Sequence, residues 1–164
     1  MLRILFPFRC AGCGSGAWPF CDACHRTLVA FAPPWCATCG LPSAVPRDTC
    51  PECPPGSFDA VRSAFLFDGA ARSAVHRLKF SGWRPVASAL GGAMAAVLDG
   101  RIDDHVVTWV PLSRRRLAAR GFDQARLLAD AVAASADSRP RALLRRVADG
   151  GPQARRSGAE RRAA

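Results

Sequence analysis

The sequence lacks an apolar run long enough to cross a membrane, and it lacks a secretory signal. Its most apolar helix-like segment, residues 86–98, is short and interrupted by glycine. The apolar stretch at residues 1–9 is too short to serve as a signal sequence. We therefore expect a cytoplasmic protein with no membrane insertion.

Cysteine is absent after residue 53, and every cysteine before that point belongs to a Cys-x-x-Cys pair. The four pairs are Cys10/Cys13, Cys21/Cys24, Cys36/Cys39 and Cys50/Cys53. Such a turn brings two thiolates close enough to share one tetrahedral ion, and two turns complete a structural zinc site. The sequence therefore predicts two zinc ions.

Short intervals between neighbouring pairs favour two sequential sites, one from the first two pairs and one from the last two. An interleaved arrangement, first pair with third and second with fourth, uses the same ligands and stays open. Gly14 and Gly40 directly follow the first and third pairs. We expect them where a tight turn needs a left-handed backbone.

Three other interpretations of the cysteines fit less well. A disulfide framework needs an oxidising compartment, which a chain without a signal does not reach. A thioredoxin-like site uses one pair beside a βαβ unit, whereas four pairs here lie in a proline-rich stretch. The run Cys21-Asp22-Ala23-Cys24-His25 matches the attachment signature of c-type haem, but that chemistry belongs to exported proteins.

The chain divides into two parts, a double zinc ribbon at residues 1–55 and a second unit at residues 56–164. Residues 1–55 have few apolar positions, so zinc must substitute for a core. They carry four arginines against three acidic residues, and the remainder carries nineteen basic against ten acidic residues. The second part therefore favours phosphate ligands, with a solvated cationic surface as the alternative.

Alternating patterns in the second part predict an α/β fold. Residues 61–67 alternate like a strand, and an apolar stripe of helical period follows, comprising Ala71, Ala74, Val75 and Leu78. A second helix is expected from Pro85 to Gly100. The continuous apolar run His105–Val110 is typical of a central strand in a parallel sheet.

A basic stretch, predicted as a loop leading into a helix, follows that strand from Pro111 to Gln124. Ligands of open α/β sheets bind at the carboxyl ends of strands. Forked guanidinium groups and helix-start amides would hold a phosphate or pyrophosphate there. A plain charged loop is the alternative.

The runs Val107-Thr108-Trp109-Val110-Pro111-Leu112 and Arg120-Gly121-Phe122-Asp123-Gln124-Ala125 resemble the ComF-type, competence-associated family. The four cysteine pairs, the run Val75–Phe80 and the run Leu144–Val147 extend the resemblance along the chain. It implies a double zinc ribbon followed by a type I phosphoribosyltransferase-like parallel-sheet domain.

The resemblance also implies a set of substrate-binding residues. Arg114 to Arg116 would form the pyrophosphate-side loop, and Asp123 stands where many members have asparagine but still permits helix-start hydrogen bonding. The full set is Lys79, Pro111, Leu112, Arg114, Arg115, Arg116, Arg120, Gly121, Gln124, Gln153 and Arg161.

One motif of such transferases, a carboxylate pair followed by a threonine- and glycine-rich phosphate loop, is missing. The adjacent pair Asp103-Asp104 precedes a predicted strand, so we expect a turn there. The chain therefore resembles a family member that stops before this motif. We expect no phosphoribosyl transfer from these residues, and magnesium with phosphoribosyl pyrophosphate only in a longer form.

Three functions follow as hypotheses. The first is a phosphoribosyltransferase-like protein whose acceptor is unknown. The second is a DNA-handling factor that contacts single-stranded DNA and proteins of the competence machinery. The third is a zinc-stabilised protein-interaction module without transferase activity.

Overall fold

The computed structural model describes residues 9–53, 58–98 and 105–147. These ranges contain five helices: α1 (Asp22–His25), α2 (Gly69–Phe80), α3 (Val86–Ala96), α4 (Arg114–Arg120) and α5 (Gln124–Ala134). Within the same ranges, β pairing is confined to three isolated bridges, Ala30 with Phe65, Trp35 with Pro42 and Cys36 with Arg47. The regular secondary structure of the described part of the chain is therefore helical, with little strand.

Helices α2 and α3 form where the apolar period predicts them. Ala71, Ala74 and Leu78 are buried on one face of α2. Helix α3 begins directly after Pro85 and buries Val86 and other apolar residues of its first turns. Proline suits this position because its fixed φ is compatible with a helix and its missing N–H needs no partner there.

The core is shared between the helices and the first cysteine pair. Buried residues of α2 and α3 pack with Phe122 and with Ala11, which lies between Cys10 and Cys13. Helices α3 and α5 also approach closely at Gly91, where an added Cβ would clash with Ala131. The first cysteine pair is thus anchored in the same apolar cluster as the helices.

The two predicted strands are not strands in the structure. In residues 61–67, Phe65 forms a bridge with Ala30, while in 105–110 no strand is present and Val110 is 64% exposed. The backbone of Val107 accepts one hydrogen bond, from Arg141 N–H at 2.9 Å. A strand needs a continuous ladder of partners, which an apolar run alone does not supply. The parallel sheet stays a prediction.

The basic stretch predicted as a loop is partly helical. Ser113 caps α4, because its hydroxyl accepts from Arg116 N–H, and α4 ends at Gly121 with φ +75°. Phe122 then turns into the core before α5 begins.

No helix in the described ranges is long and apolar enough to span a bilayer.

Candidate functional site

The first metal centre comprises Cys10, Cys13, Cys21 and Cys24. Their sulfur atoms all lie within 4.8 Å of one another, and Cys13 Sγ is 3.8 Å from Cys21 Sγ. Four sulfurs placed about 2.3 Å from a tetrahedral zinc are separated from one another by roughly 3.8 Å. This arrangement fits one structural zinc ion.

The second metal centre comprises Cys36, Cys39, Cys50 and Cys53, again within 4.8 Å. The sulfurs of Cys36 and Cys53 are 3.5 Å apart, and those of Cys39 and Cys50 are 3.4 Å apart. The pairs therefore combine sequentially, and both cysteine sets fit the zinc ions that the sequence predicts.

Tight turns present the cysteines of the first and third pairs. Gly14 N–H donates to Cys10 O and Gly40 N–H donates to Cys36 O, both at 2.9 Å. Gly14 has φ +81° and Gly40 has φ +71°, so both adopt the left-handed backbone expected of them.

Backbone amides lower the pKa of one cysteine in each centre. Burial opposes ionisation of Cys10, but the N–H groups of Cys21, Cys13 and Gly12 outweigh it and lower the pKa to about 6. In the second centre, the N–H of Cys39 contributes most to lowering the pKa of Cys36 to about 6. Thiolates are the metal-binding form of cysteine, so both centres favour a cation.

At Cys24 burial is the largest effect, and it raises the pKa to about 12. Its hydrogen bonds with the Cys10, Cys21 and Cys13 side chains add to this effect, because they favour the protonated thiol. A zinc ion would replace the proton of this thiol. The donor set therefore has the chemistry of a closed structural site, with four sulfurs and no open position.

A basic cavity of about 450 Å³ lies beside the start of α4. Predicted residues Pro111, Leu112 and Arg114 line it, together with Arg145 and Arg146. The eight described residues that line the cavity include three arginines and no acidic side chain. It therefore suits an anionic ligand.

A second basic cleft, of about 310 Å³, lies between α2 and α4. Lys79, Arg116 and Arg120 line it, together with two aromatic residues, Phe80 and Phe122. The guanidinium of Arg120 lies 5.7 Å from the ring centre of Phe80. The structure thus divides the predicted substrate residues between two basic surfaces.

The remaining predicted site residues have other positions. Gln124 accepts a hydrogen bond from Arg120, Gly121 ends α4, and Arg115 is exposed on α4 without lining either basic cavity. Gln153 and Arg161 lie outside the described residues. The substrate-binding role of this set stays a prediction.

Sequence reasoning left Arg145 and Arg146 out of the candidate site. Arg146 Nε donates to Pro111 O at 3.0 Å, which brings residues distant in sequence to one cavity. The sequence did offer one indication, since both arginines belong to the run Leu144–Val147, which resembles the family's loop region.

Comparisons with known proteins bear on the first third of the chain. The model of the family described as "Double zinc ribbon domain" matches residues 1–54. Searches of curated proteins and of solved structures find no match to the chain. Together with the two four-cysteine centres, the family match identifies residues 1–54 as a double zinc ribbon domain that holds two structural zinc ions.

Proposed function

We propose that this chain is a ComF-type protein, in which a double zinc ribbon supports a phosphoribosyltransferase-like unit that binds phosphate groups. Two features support the assignment to this family. The ribbon precedes the basic unit, and the residues of the resemblance line basic surfaces. The proposed ligand class is pyrophosphate or a phosphorylated sugar.

The observation that carries this proposal is the cavity beside α4. Arg114 approaches it from one segment of the chain, and Arg145 and Arg146 approach it from another. Guanidinium groups form paired, charge-assisted hydrogen bonds with phosphate oxygens. Three of them line one space of about 450 Å³, which is large enough for pyrophosphate.

The proposal for these residues concerns the binding of pyrophosphate. These 164 residues contain no carboxylate pair followed by a threonine- and glycine-rich loop, the motif that would hold the ribose and its 5'-phosphate. Magnesium and phosphoribosyl pyrophosphate would act together in a longer form that carries this motif. The residues present are expected to bind pyrophosphate.

Calorimetry with inorganic pyrophosphate at fixed ionic strength tests the proposal. Arg146→Gln should weaken binding at least about tenfold, since one charge-assisted hydrogen bond contributes roughly 1.5–3 kcal/mol. Arg72→Gln is the matched control, because Arg72 is exposed on α2 and lines neither basic cavity. Equal losses in both variants would indicate nonspecific attraction to a cationic protein. No binding by the wild-type chain would reject the proposal.

A second candidate function, single-stranded DNA handling, is favoured by a row of rings that runs from Phe67, just before α2, along that helix. Phe67, His76 and Phe80 follow one another with ring centres 6.1 and 5.4 Å apart, and Arg120 covers the last ring. Phe67 is 57% exposed and Phe80 is 71% exposed. The sequence suggested few aromatics among the arginines, but folding places Phe80, the last ring of the row, in the wall of the basic cleft. Exposed rings beside cations are typical of single-strand platforms.

Fluorescence anisotropy with a labelled oligothymidine distinguishes this candidate. Phe80→Ala should weaken binding about fivefold or more, because stacking contributes roughly 1–3 kcal/mol per base. The control is Phe58→Ala, which removes a ring that is 64% exposed and lies outside the row. Binding that does not fall with rising salt would exclude contact with the DNA backbone. If the chain binds neither pyrophosphate nor the oligothymidine, the remaining candidate function is a zinc-ribbon protein-interaction module, with competence-machinery proteins as candidate partners.

A further inference from the structure

The first zinc centre and helix α2 meet at Gly12. A Cβ on this buried glycine would lie 2.8 Å from Cys24 Sγ and 2.9 Å from the Cβ of Ala70. One position therefore touches a zinc ligand on one side and the start of α2 on the other. Close packing of this kind transmits small displacements, because there is no free space to absorb them.

Arg77 makes a second connection, near the other end of α2. Its Nε donates to Gly12 O at 3.2 Å, and its guanidinium lies against Gly14, where an added Cβ would be 2.6 Å from Nη1. The same guanidinium is 5.6 Å from the ring centre of Trp83. The side chain of Arg77 is thus held between the first cysteine turn and the segment that follows α2.

The main chain of Arg77 also ends the helix. Its carbonyl accepts from Ser81 N–H at 3.1 Å and from Trp83 N–H at 3.2 Å. Lys79 and Phe80, which line the basic cleft with Arg120, follow within three residues. Movement of Arg77 would therefore displace this wall of the cleft.

The second zinc centre is attached to a different part of the chain. Val61 N–H donates to Thr38 O at 2.7 Å, and Arg62 Nη1 donates to Ala37 O at 2.8 Å. Both donors precede α2. The two centres also differ in exposure, since Cys13 of the first is exposed, whereas all four cysteines of the second are buried or partly buried.

We propose that zinc in the first centre, acting through Gly12 and Arg77, sets the position of the carboxyl end of α2 and so the shape of the basic cleft. Zinc in the second centre does not. The first centre is then a metal-responsive element, because losing its ion frees Arg77 and loosens the wall formed by Lys79 and Phe80. This coupling does not depend on which ligand the cleft binds.

Hydrogen exchange measured by mass spectrometry, together with zinc content, tests the coupling in the full chain. Cys24→Ser and Cys53→Ser are matched, since each removes one ligand from one centre. Cys24→Ser should speed exchange of amides 78–83 about tenfold by local opening, while Cys53→Ser should change it less than about twofold. Equal effects at 78–83 would overturn the proposal.

Arg77→Met keeps the test decisive if a cysteine variant fails to fold. Methionine keeps the apolar part of the side chain but cannot donate the hydrogen bond to Gly12. The variant should bind two zinc ions, and its amides at 78–83 should exchange faster than those of the wild type. Arg72→Met, an exposed position on the same helix, is the control and should exchange like the wild type. An unchanged rate in Arg77→Met, or loss of both zinc ions, would contradict the proposed connection.

Discussion

The carboxylate of Asp123 joins Leu112 to the start of α5. One oxygen accepts from Leu112 N–H at 2.9 Å, and the other accepts from Ala125 N–H, also at 2.9 Å. Asp123 therefore caps a helix and positions the segment beside the proposed phosphate cavity. The sequence predicted the cap, which the structure confirms, but gave no indication of the contact with Leu112.

Substituting Asp123 should separate these two roles. Serine can cap α5 but has one oxygen, so Asp123→Ser should keep most of the helix stability and release Leu112. Asp123→Ala loses both contacts, and losing a cap costs about 1 kcal/mol of unfolding free energy. Denaturant unfolding monitored by circular dichroism measures this difference.

The same two variants also test the role of Leu112 in ligand binding. If the position of Leu112 shapes the cavity, both variants should lose pyrophosphate affinity to a similar extent in calorimetry. Full affinity in Asp123→Ser would show that the contact with Leu112 is only structural.

Adjacent glycines in α3 offer an internal comparison of packing. An alanine at 91 would press against Ala131 of α5, whereas the space around residue 92 is open. Gly91→Ala should therefore destabilise the protein by about 1–3 kcal/mol through overpacking. Gly92→Ala should stabilise it by about 0.5–1 kcal/mol, because alanine loses less backbone entropy in a helix. Thermal unfolding of both variants checks the opposite signs.

Substitution of Gly12 should also be destabilising, and it should in addition weaken zinc binding. Gly12→Ala would crowd both Cys24 and Ala70, so we expect weaker zinc retention together with a lower unfolding temperature. Competition with a chromophoric chelator should remove one zinc ion from this variant more readily than from the wild type. Faster release of both ions to the same extent would instead indicate general unfolding.

Local patterns explain what the sequence could predict. The cysteine pairs encode ligands within a few residues of each other, and α2 follows directly from the spacing of Ala71, Ala74 and Leu78. The connection from Arg146 to Pro111 spans 35 residues, so no local pattern reveals it. Helix α4 was not predicted, because its three consecutive arginines leave no apolar residues at helical spacing. Ser113, however, is a residue type typical of a helix N-cap and could have indicated the helix.

The pairing of the cysteines is tested most directly by counting zinc ions with native mass spectrometry in two double variants. Cys13→Ser/Cys21→Ser removes two ligands from one centre of the structure, so we predict that one zinc ion remains. Cys13→Ser/Cys39→Ser removes one ligand from each centre, so we predict weakened or lost binding of both ions. The reverse result, with both ions lost from the first variant and one retained by the second, would contradict the sequential double zinc ribbon.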